Sequence, residues 1–229
     1  MINTLENFIK KRYLLLFGVL LFCQAAVFAR QANTEDDTAY IRTTNQRADK
    51  IVATLGVANA DSALLVRDVI AQQYRYLNEV QAKHDQEVKL AKEQFANDKP
   101  ALTTQLKGIE DATNQQLDKG HTGYLEKLSA YLTPQQVNQV KDGMTYGVLP
   151  LTYRVYNDML PNLTTEQKAQ IMAWLVEARE HAMDAGSSEK KHQWFGKYKG
   201  RINNYLSAAG INMKQAEEEW KKRSAAKAK

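Results

Sequence analysis

Two long helical patterns, separated by one short break, dominate the middle of the chain. Side chains suited to a buried or half-buried seam recur at helical spacing through both segments. They are Val66, Ile70, Tyr74, Leu77, His84, Val88, Ala91 and Phe95 in the first segment, and Leu102, Leu106, Ile109, Thr113, Leu117, His121, Tyr124 and Leu128 in the second. The break is the four-residue run Asn97-Asp98-Lys99-Pro100. Since so short a connection returns the second helix alongside the first, the sequence predicts an antiparallel helical hairpin.

The remainder of the chain is also expected to be helical. Its 229 residues include only four Pro and eleven Gly, whereas residues that favour helices are abundant. A first helix is predicted from about residue 37 to 55, where Gly56 ends it, and Asp61 is predicted to cap the long helix that follows. Residues 142–150, which contain Gly and Pro, are expected to form a loop. The predicted fold is all-α, with the antiparallel helical hairpin packed on a C-terminal multi-helix bundle in a single helical domain over residues 39–220.

Two predicted helix starts share the pattern Leu-Thr-x-x-Gln. The pairs are Thr133 with Gln136 and Thr164 with Gln167. In such a capping box the Thr hydroxyl accepts from the backbone amide of the Gln, and the Gln side chain accepts in return from the Thr amide. We therefore predict two sharply defined helix starts after these threonines.

The N-terminus has the composition of a secretory signal peptide. Lys10-Lys11-Arg12 precedes a nearly unbroken apolar run over residues 13–28, and Ala29 is a small residue at the position of cleavage. The run is short for a transmembrane helix, although an uncleaved N-terminal anchor is the alternative. Cleavage would remove Cys23, the only cysteine, and would leave no integral membrane span. We predict a signal peptide at residues 1–29, a disordered lead-in at residues 30–38, a basic disordered tail at residues 221–229, and a periplasmic or extracellular location.

Positive charge concentrates in the last quarter of the chain. Residues 181–229 contain eleven Lys or Arg against five Asp or Glu. Here Gly186-Ser187-Ser188 leads into a predicted helix whose first amides favour an anion. We predict that this basic aromatic helix binds an acidic ligand, and that Tyr146 from the predicted loop contributes a ring with an apolar face and a polar tip. The candidate ligand-binding residues are Lys190, Lys191, His192, Trp194, Lys197, Arg201, Asn204 and Tyr146.

Two glycines, Gly196 and Gly200, lie four residues apart in the same predicted helix. Glycine in a helix interior is about 1 kcal/mol less favourable than alanine, so their presence calls for a reason. Close packing of another helix is one reason, and the approach of a ligand to the backbone is another. The stripe of Trp194, Tyr198 and Ile202 is likewise typical of a helix packed against a core.

An enzyme is the alternative to a binding module. Glu177, His181 and Asp184 are spaced by about one helical turn each, and together they could form an acid–base set. The signatures Gly-x-Ser-x-Gly and His-Glu-x-x-His are absent from the sequence, as is a Cys nucleophile after signal cleavage. His84 and His121 would lie about 12 Å out of register in the hairpin. We therefore predict neither a metal site nor a cofactor.

Three runs carry a resemblance to a known family. They are Lys141-Asp-Gly-Met-Thr-Tyr-Gly-Val148, Ala178-Arg-Glu-His-Ala-Met-Asp-Ala-Gly-Ser-Ser188 and Trp194-Phe-Gly-Lys-Tyr-Lys-Gly-Arg-Ile-Asn-Asn-Tyr205. On these runs the chain resembles domain-of-unknown-function family 3826, small secreted proteins of Bacteroidetes, over nearly all of its length from Asn45 to Trp220. Such proteins are often encoded near genes for polysaccharide utilisation, including those for pectin-like glycans. The resemblance implies a supporting role in glycan use and brings no catalytic residues with it.

The Leu-Thr-x-x-Gln runs also resemble those of periplasmic stress chaperones of the Spy and CpxP type. Three functions therefore stay open from the sequence. The first is an exported, non-catalytic module that binds an acidic polysaccharide or an exported protein partner. The second is a hydrolase or lyase acting on such a glycan, and the third is a periplasmic holdase chaperone. Nucleic acid is not an expected partner, because the chain carries an export signal and a formal net charge of only +5.

Overall fold

The structure, a computed structural model, describes residues 38–227. These residues form eight helices, and no strand occurs among them. The helices are α1 (residues 38–52), α2 (Ala60–Gln94), α3 (Lys99–Ser129), α4 (Pro134–Met144), α5 (Val148–Met159), α6 (Thr165–Asp184), α7 (Ser188–Ala208) and α8 (Met213–Lys227). The predicted all-α fold is confirmed.

The chain divides into two compact units, one ending at Gln46 and the other beginning at Arg47. The predicted signal peptide and residues 30–37 of the predicted lead-in lie outside the described residues. In the first unit, residues 38–46 are helical, and the Thr43 hydroxyl donates to the carbonyl of Ala39 at 3.0 Å. The second unit contains the remainder of α1 and all of α2 to α8.

Two helix ends differ from the sequence prediction. Asn59 rather than Asp61 caps α2, because its side chain accepts from the amide of Ser62 at 2.8 Å. The tail expected at residues 221–229 is helical as far as Lys227. None of the helices in the described part of the chain is both long and apolar enough to cross a bilayer.

The loop expected at residues 142–150 is reduced to residues 145–147, because α4 and α5 occupy the rest. Pro150 lies in the first turn of α5, where the amide that it lacks would have no partner within the helix. Tyr146 and Gly147 both have left-handed backbones, with φ of 60° and 64°. The Gly147 amide donates to the carbonyl of Asp142 at 2.8 Å, which closes the end of α4.

Helices α2 and α3 pack against each other in an antiparallel register. The Tyr76 hydroxyl donates to the carbonyl of Gln116 at 2.6 Å, and His84 lies further along α2 opposite the earlier residue Glu110. Gly120 allows the close approach, since a Cβ at this position would lie 2.3 Å from the Tyr76 ring. The break over residues 95–98 therefore produces the hairpin geometry that the sequence predicts.

The second unit contains two hydrophobic cores. The first joins the hairpin to α4 and to the end of α1, and consists of Ala48, Ile51, Leu55, Val66, Ile70, Ala71, Leu77, Tyr124, Leu128, Leu132, Val137, Val140, Met144 and Met183. The second lies between α5, α6 and α7, and consists of Leu149, Tyr156, Leu160, Leu163, Ile171, Leu175, Ala178, Ala182, Phe195, Tyr198, Ile202 and Leu206. Helix α6 contributes to both, since Met183 belongs to the first core and the apolar face before it to the second.

Both predicted capping boxes are confirmed. The Gln136 amide donates to the Thr133 hydroxyl, and the Thr133 amide donates to the Gln136 side chain. The same reciprocal pair joins Thr164 and Gln167. The first box also has a tertiary role, because the Gln136 side-chain amide donates to the carbonyl of Leu55 at 3.0 Å.

Replacing the glycine at the hairpin contact tests this packing. Gly120→Ala is expected to lower the free energy of unfolding by about 1–3 kcal/mol, because the added methyl group displaces Tyr76 and breaks its bond to Gln116. Urea denaturation measures the change. Gly123→Ala is the matched control: a Cβ there meets nothing within 4 Å, so better helix propensity should raise stability by up to about 1 kcal/mol. Equal effects of the two substitutions would contradict the close approach.

Candidate ligand-binding groove

A buried guanidinium group joins α6 to α4. Arg179 Nη1 donates to Asp142 at 2.8 Å, and Nη2 donates to Asn138 at 2.7 Å. The Arg179 side chain is only 6% exposed. Because a buried charge without partners is strongly destabilising, these bonds fix the position of α6 against α4.

The same network continues to the hairpin through Glu180. Its carboxylate accepts from Lys141 of α4 at 2.6 Å and lies 3.4 Å from Nε2 of His121 on α3. Burial opposes ionisation of Glu180, but the hydrogen bonds from His121 and Lys141 lower its pKa to about 2. The other ring nitrogen of His121 bonds Asp184 at 2.8 Å. The bonds to Asp184 and Glu180 raise the pKa of His121 to about 9, so this side chain is a cation at neutral pH.

Lys191 has a structural position that the sequence analysis did not anticipate. Its Nζ donates to the carbonyls of Ala182 and Met183 at 2.8 and 2.9 Å, which are the last carbonyls of α6. The side chain is buried, and burial lowers the pKa of Lys191 to about 8. The sequence predicts that Lys191 binds a ligand; the structure instead places its ammonium group on the turn between α6 and α7, where two of its N–H groups are bonded.

That turn packs closely on the hairpin. A Cβ at Gly186 would lie 2.9 Å from the Gln81 side chain of α2, so the glycine lets the turn reach the helix surface. The ammonium group of Lys190, in the first turn of α7, donates to the side-chain oxygen Oε1 of Gln81 at 3.0 Å. The first turn of α7 is fixed locally by Ser187, whose hydroxyl accepts from the Lys190 amide.

An open groove of about 730 Å³ lies between the hairpin and this turn. The hairpin side is formed by Gln81, His84, Glu110, Thr113, Asn114, Leu117 and Asp118. The opposite side is formed by His181, Asp184, Ala185, Gly186, Lys190, Gln193, Trp194 and Lys197. The two walls differ in charge, because the α3 residues include two carboxylates and one amide whereas the α7 residues include two lysines and a Trp ring. Asp184 of α6 adds one carboxylate on the α7 side.

The aromatic side chains of the groove are held by stacking. The rings of His181 and Trp194 lie nearly parallel with their centroids 4.3 Å apart. The ammonium group of Lys197 lies 4.9 Å from the Trp194 ring centroid, in the range of a cation–π contact. These contacts restrict the Trp194 ring and orient Lys197, so that this wall presents an aromatic surface beside two cations.

The predicted ligand-binding residues therefore divide into several groups. Lys190, Trp194 and Lys197 line the groove. His192 instead stacks on Tyr146, with ring centroids 5.7 Å apart. Two further predicted residues lie outside the groove: Arg201 and Asn204 are exposed on α7.

Arg201 has its own partners on α6. Its guanidinium group lies 4.6 Å from the Trp174 ring centroid, and Nη1 lies 3.5 Å from the Glu177 carboxylate. Because both Arg201 and Glu177 are about half exposed, this is a surface ion pair of small energetic weight.

The three candidate acid–base residues have different neighbours. Glu177 pairs with Arg201, His181 stacks on Trp194, and Asp184 bonds His121. Only His181 and Asp184 line the groove. The residues share one side of α6, as the sequence predicts. Glu177 and His181 also share Tyr198 as a neighbour, whereas Asp184 is bonded to His121. Among the described residues, no group of three or more His, Cys, Asp or Glu side chains is arranged to hold a metal ion.

Sequence reasoning did not identify the α3 wall of the groove. Glu110, Asn114 and Asp118 recur every four residues, which is the spacing of one helix face. In the sequence such a polar stripe is indistinguishable from an ordinary solvated surface. It becomes a candidate wall only because the α6–α7 turn docks opposite it.

The structure is that of an all-α protein with an open, two-sided groove between a helical hairpin and the α6–α7 turn. The model of the family described as "Protein of unknown function (DUF3826)" matches residues 41–226, and the chain belongs to this family. The resemblance stated from the three sequence runs is thereby confirmed at the level of the family. A comparison with curated proteins gives no match.

The charged His121 predicts a specific pH dependence of stability. Its pKa is about 9 in the folded protein, against 6.5 for the free side chain, so its contribution is complete below pH 6.5 and is lost as the pH rises towards 9. Between pH 6.5 and 8 we expect the free energy of unfolding to fall by about 1 kcal/mol, after discounting for partial solvent screening.

Urea denaturation at several pH values measures this fall. His121→Gln should be less stable at pH 6.5 and should lack the His121 component of the decline, whereas His84→Gln should retain it because His121 is intact. A decline of the same size in the His121 variant would contradict the assignment. The window ends at pH 8 because Lys191, whose pKa is about 8 in the folded protein, is half deprotonated there. Its loss of charge raises stability as the pH increases further, which opposes the His121 decline.

Proposed function

We propose that the protein is an exported, non-catalytic module of polysaccharide utilisation that binds an acidic saccharide in the groove. The observation that carries this proposal is the pairing of two unlike walls. Lys190, Lys197 and the Trp194 ring lie on one wall, and the two carboxylates and the one amide of α3 lie on the other.

The chemistry of an acidic sugar suits both walls. A uronate carboxylate can accept charge-assisted hydrogen bonds from Lys190 and Lys197. The sugar hydroxyls can donate to Glu110 and Asp118, while Asn114 can both donate and accept. A partly exposed Trp ring offers an apolar surface to the C–H groups of a sugar ring.

The charge of the groove explains why a purely anionic polymer of high charge density is a poorer candidate. Glu110, Asp118 and Asp184 lie on its surface together with the two lysines, and the ion pair with His121 compensates only Asp184. A ligand with separated carboxylates and many hydroxyls therefore fits better than a nucleic acid or a polyphosphate.

A glycan hydrolase or lyase is the alternative, with Glu177, His181 and Asp184 as its candidate residues. Glu177 and Asp184 are each paired with a basic side chain, Arg201 and His121. This pairing favours binding over catalysis, since a reacting group needs a positioned acid or base that is within reach of the substrate. Bacteroidetes as the source and holdase activity as a function stay predictions from the sequence resemblances.

Binding of tetragalacturonate, with neutral galactotetraose as the comparison ligand, tests the proposal. We expect Lys190→Ala and Lys197→Ala each to weaken tetragalacturonate binding about five- to tenfold in calorimetry, which corresponds to loss of one hydrogen bond of about 1–1.4 kcal/mol. Raising the salt concentration should also weaken binding. Lys127→Ala, on an exposed part of α3 outside the groove, is the matched loss of one positive charge and should have no comparable effect.

Chain-end analysis of the same mixtures separates the binder from the enzyme. New reducing ends or unsaturated products, abolished by Glu177→Gln or His181→Ala, would overturn the non-catalytic assignment. Absence of binding to every acidic saccharide tried would overturn the carbohydrate proposal itself.

A further inference from the structure

We infer that α7 carries a second saccharide-binding surface, distinct from the groove and formed by Tyr146, His192, Gly196, Lys199 and Asn203. We call this set the Tyr146 surface. The inference extends the proposed function, since it assigns the same class of ligand to a different face of the protein.

The geometry of α7 separates the two surfaces. An α-helix turns about 100° per residue, so the directions of His192 and Trp194 differ by about 160°. By the same rule, His192, Gly196, Lys199 and Asn203 fall within a sector of about 60°. Lys190, Trp194 and Lys197 fall in another sector of similar width, whose centre is about 160° away. The buried side chains of α7, such as Phe195 and Ile202, occupy the remaining side.

The exposed pair of rings is the first observation that points to a ligand. Tyr146 is 57% exposed and stacks on the exposed His192 with an interplanar angle of 16°. A large aromatic side chain stacked in this way forms a flat surface open to solvent, to which the apolar face of a sugar ring can bind.

The backbone of Tyr146 is the second observation. Its φ of 60° makes it the one described non-glycine residue with a positive φ, a conformation that is unfavourable for an aromatic residue. The position ends α4 and is the kind of position that glycine usually occupies. Core packing does not explain why a tyrosine occupies this unfavourable conformation, because most of the side chain is exposed. A functional role for the ring would explain it.

The surface beyond the rings is bare and polar. Gly196 lies in the interior of α7, and a Cβ added there would meet nothing within 4 Å. Close packing, one of the two reasons offered by the sequence, therefore does not explain this glycine among residues 38–227. The absent side chain leaves backbone accessible between His192 and Asn203.

The far end of the surface has an oriented polar group. The Tyr156 hydroxyl donates to the side-chain carbonyl of Asn203 at 2.7 Å. This bond fixes the orientation of the Asn203 amide, so that its N–H donors point away from Tyr156. Lys199 is exposed in the same sector. From His192 to Asn203 the surface extends about 16 Å along the helix, long enough for an oligosaccharide, with stacking at one end and hydrogen bonding at the other.

Two substitutions separate binding from folding, because both are expected to stabilise the protein or leave its stability unchanged. Gly196→Ala improves helix propensity, and its methyl group occupies the place of the sugar ring. Tyr146→Gly relieves the left-handed backbone and removes the stacking ring. Each should give a Tm equal to or above that of the wild type, together with at least fivefold weaker binding of hexagalacturonate in calorimetry.

Gly108→Ala is the matched control, since it is an exposed helix-interior glycine on α3 with nothing within 4 Å of an added Cβ. It should raise the Tm similarly and leave binding unchanged. Unchanged binding in both Gly196→Ala and Tyr146→Gly would overturn the second surface.

Measuring Lys197→Ala in parallel distinguishes this inference from the proposal for the groove. Weakening by Lys197→Ala alone supports the groove and overturns the Tyr146 surface, whereas weakening by Gly196→Ala and Tyr146→Gly alone does the reverse. If wild-type protein binds no saccharide, both proposals fail. If the wild type is a dimer that Gly196→Ala dissociates, the glycine faces a second protein chain, and the saccharide assignment is overturned.

Discussion

The ion-pair and hydrogen-bond network around Arg179 is the contact on which the geometry of the second unit depends. It joins Asp142 and Asn138 on α4 to α6, and Glu180 extends it to Lys141 and His121. The two hydrophobic cores specify the packing of neighbouring helices, but non-directional burial alone fixes relative positions less narrowly than paired charges do. The network lies where the hairpin, α4 and α6 meet. The groove is bounded by α2, α3, the end of α6 and α7, so the contacts that hold α6 against the hairpin also set the distance between its two walls.

The C-terminus of α6 shows how a charged side chain can serve the fold instead of a ligand. The Lys191 ammonium group donates hydrogen bonds to two carbonyls in the last turn of α6, where the helix dipole favours a cation. Asp184, at the same end, is held by His121 across the interface. Together they set the direction in which α7 leaves the turn. The lysine is then unavailable to an anion, while its neighbour Lys190 remains exposed at the groove.

Helix α7 therefore combines three roles on three sides. One side is buried in the second core, the side with Trp194 and Lys197 faces the groove, and the side with His192 meets the ring of Tyr146. In the sequence, the basic and aromatic residues of α7 resemble a single site. In the structure they are distributed over the buried side of the helix and two exposed sides. This division explains why aromatic and cationic residues alternate so densely along a single helix, and why a substitution at one position need not report on its neighbour.

The sequence by itself determined the helices, the hairpin break, the two capping boxes and the family. These features depend on local hydrogen bonds and on a periodicity that spans a few residues, so they are readable from short segments. It also identified Lys190, Trp194 and Lys197 as candidate binding residues from their composition. Only the tertiary structure decided that Lys191 is buried, that Asp184 pairs with His121, and that α3 supplies the opposite wall. The pairing of Asp184 and the position of α3 depend on contacts between residues more than sixty positions apart. The burial of Lys191 depends on which side of α7 faces the core. No single short segment of the sequence contains this information.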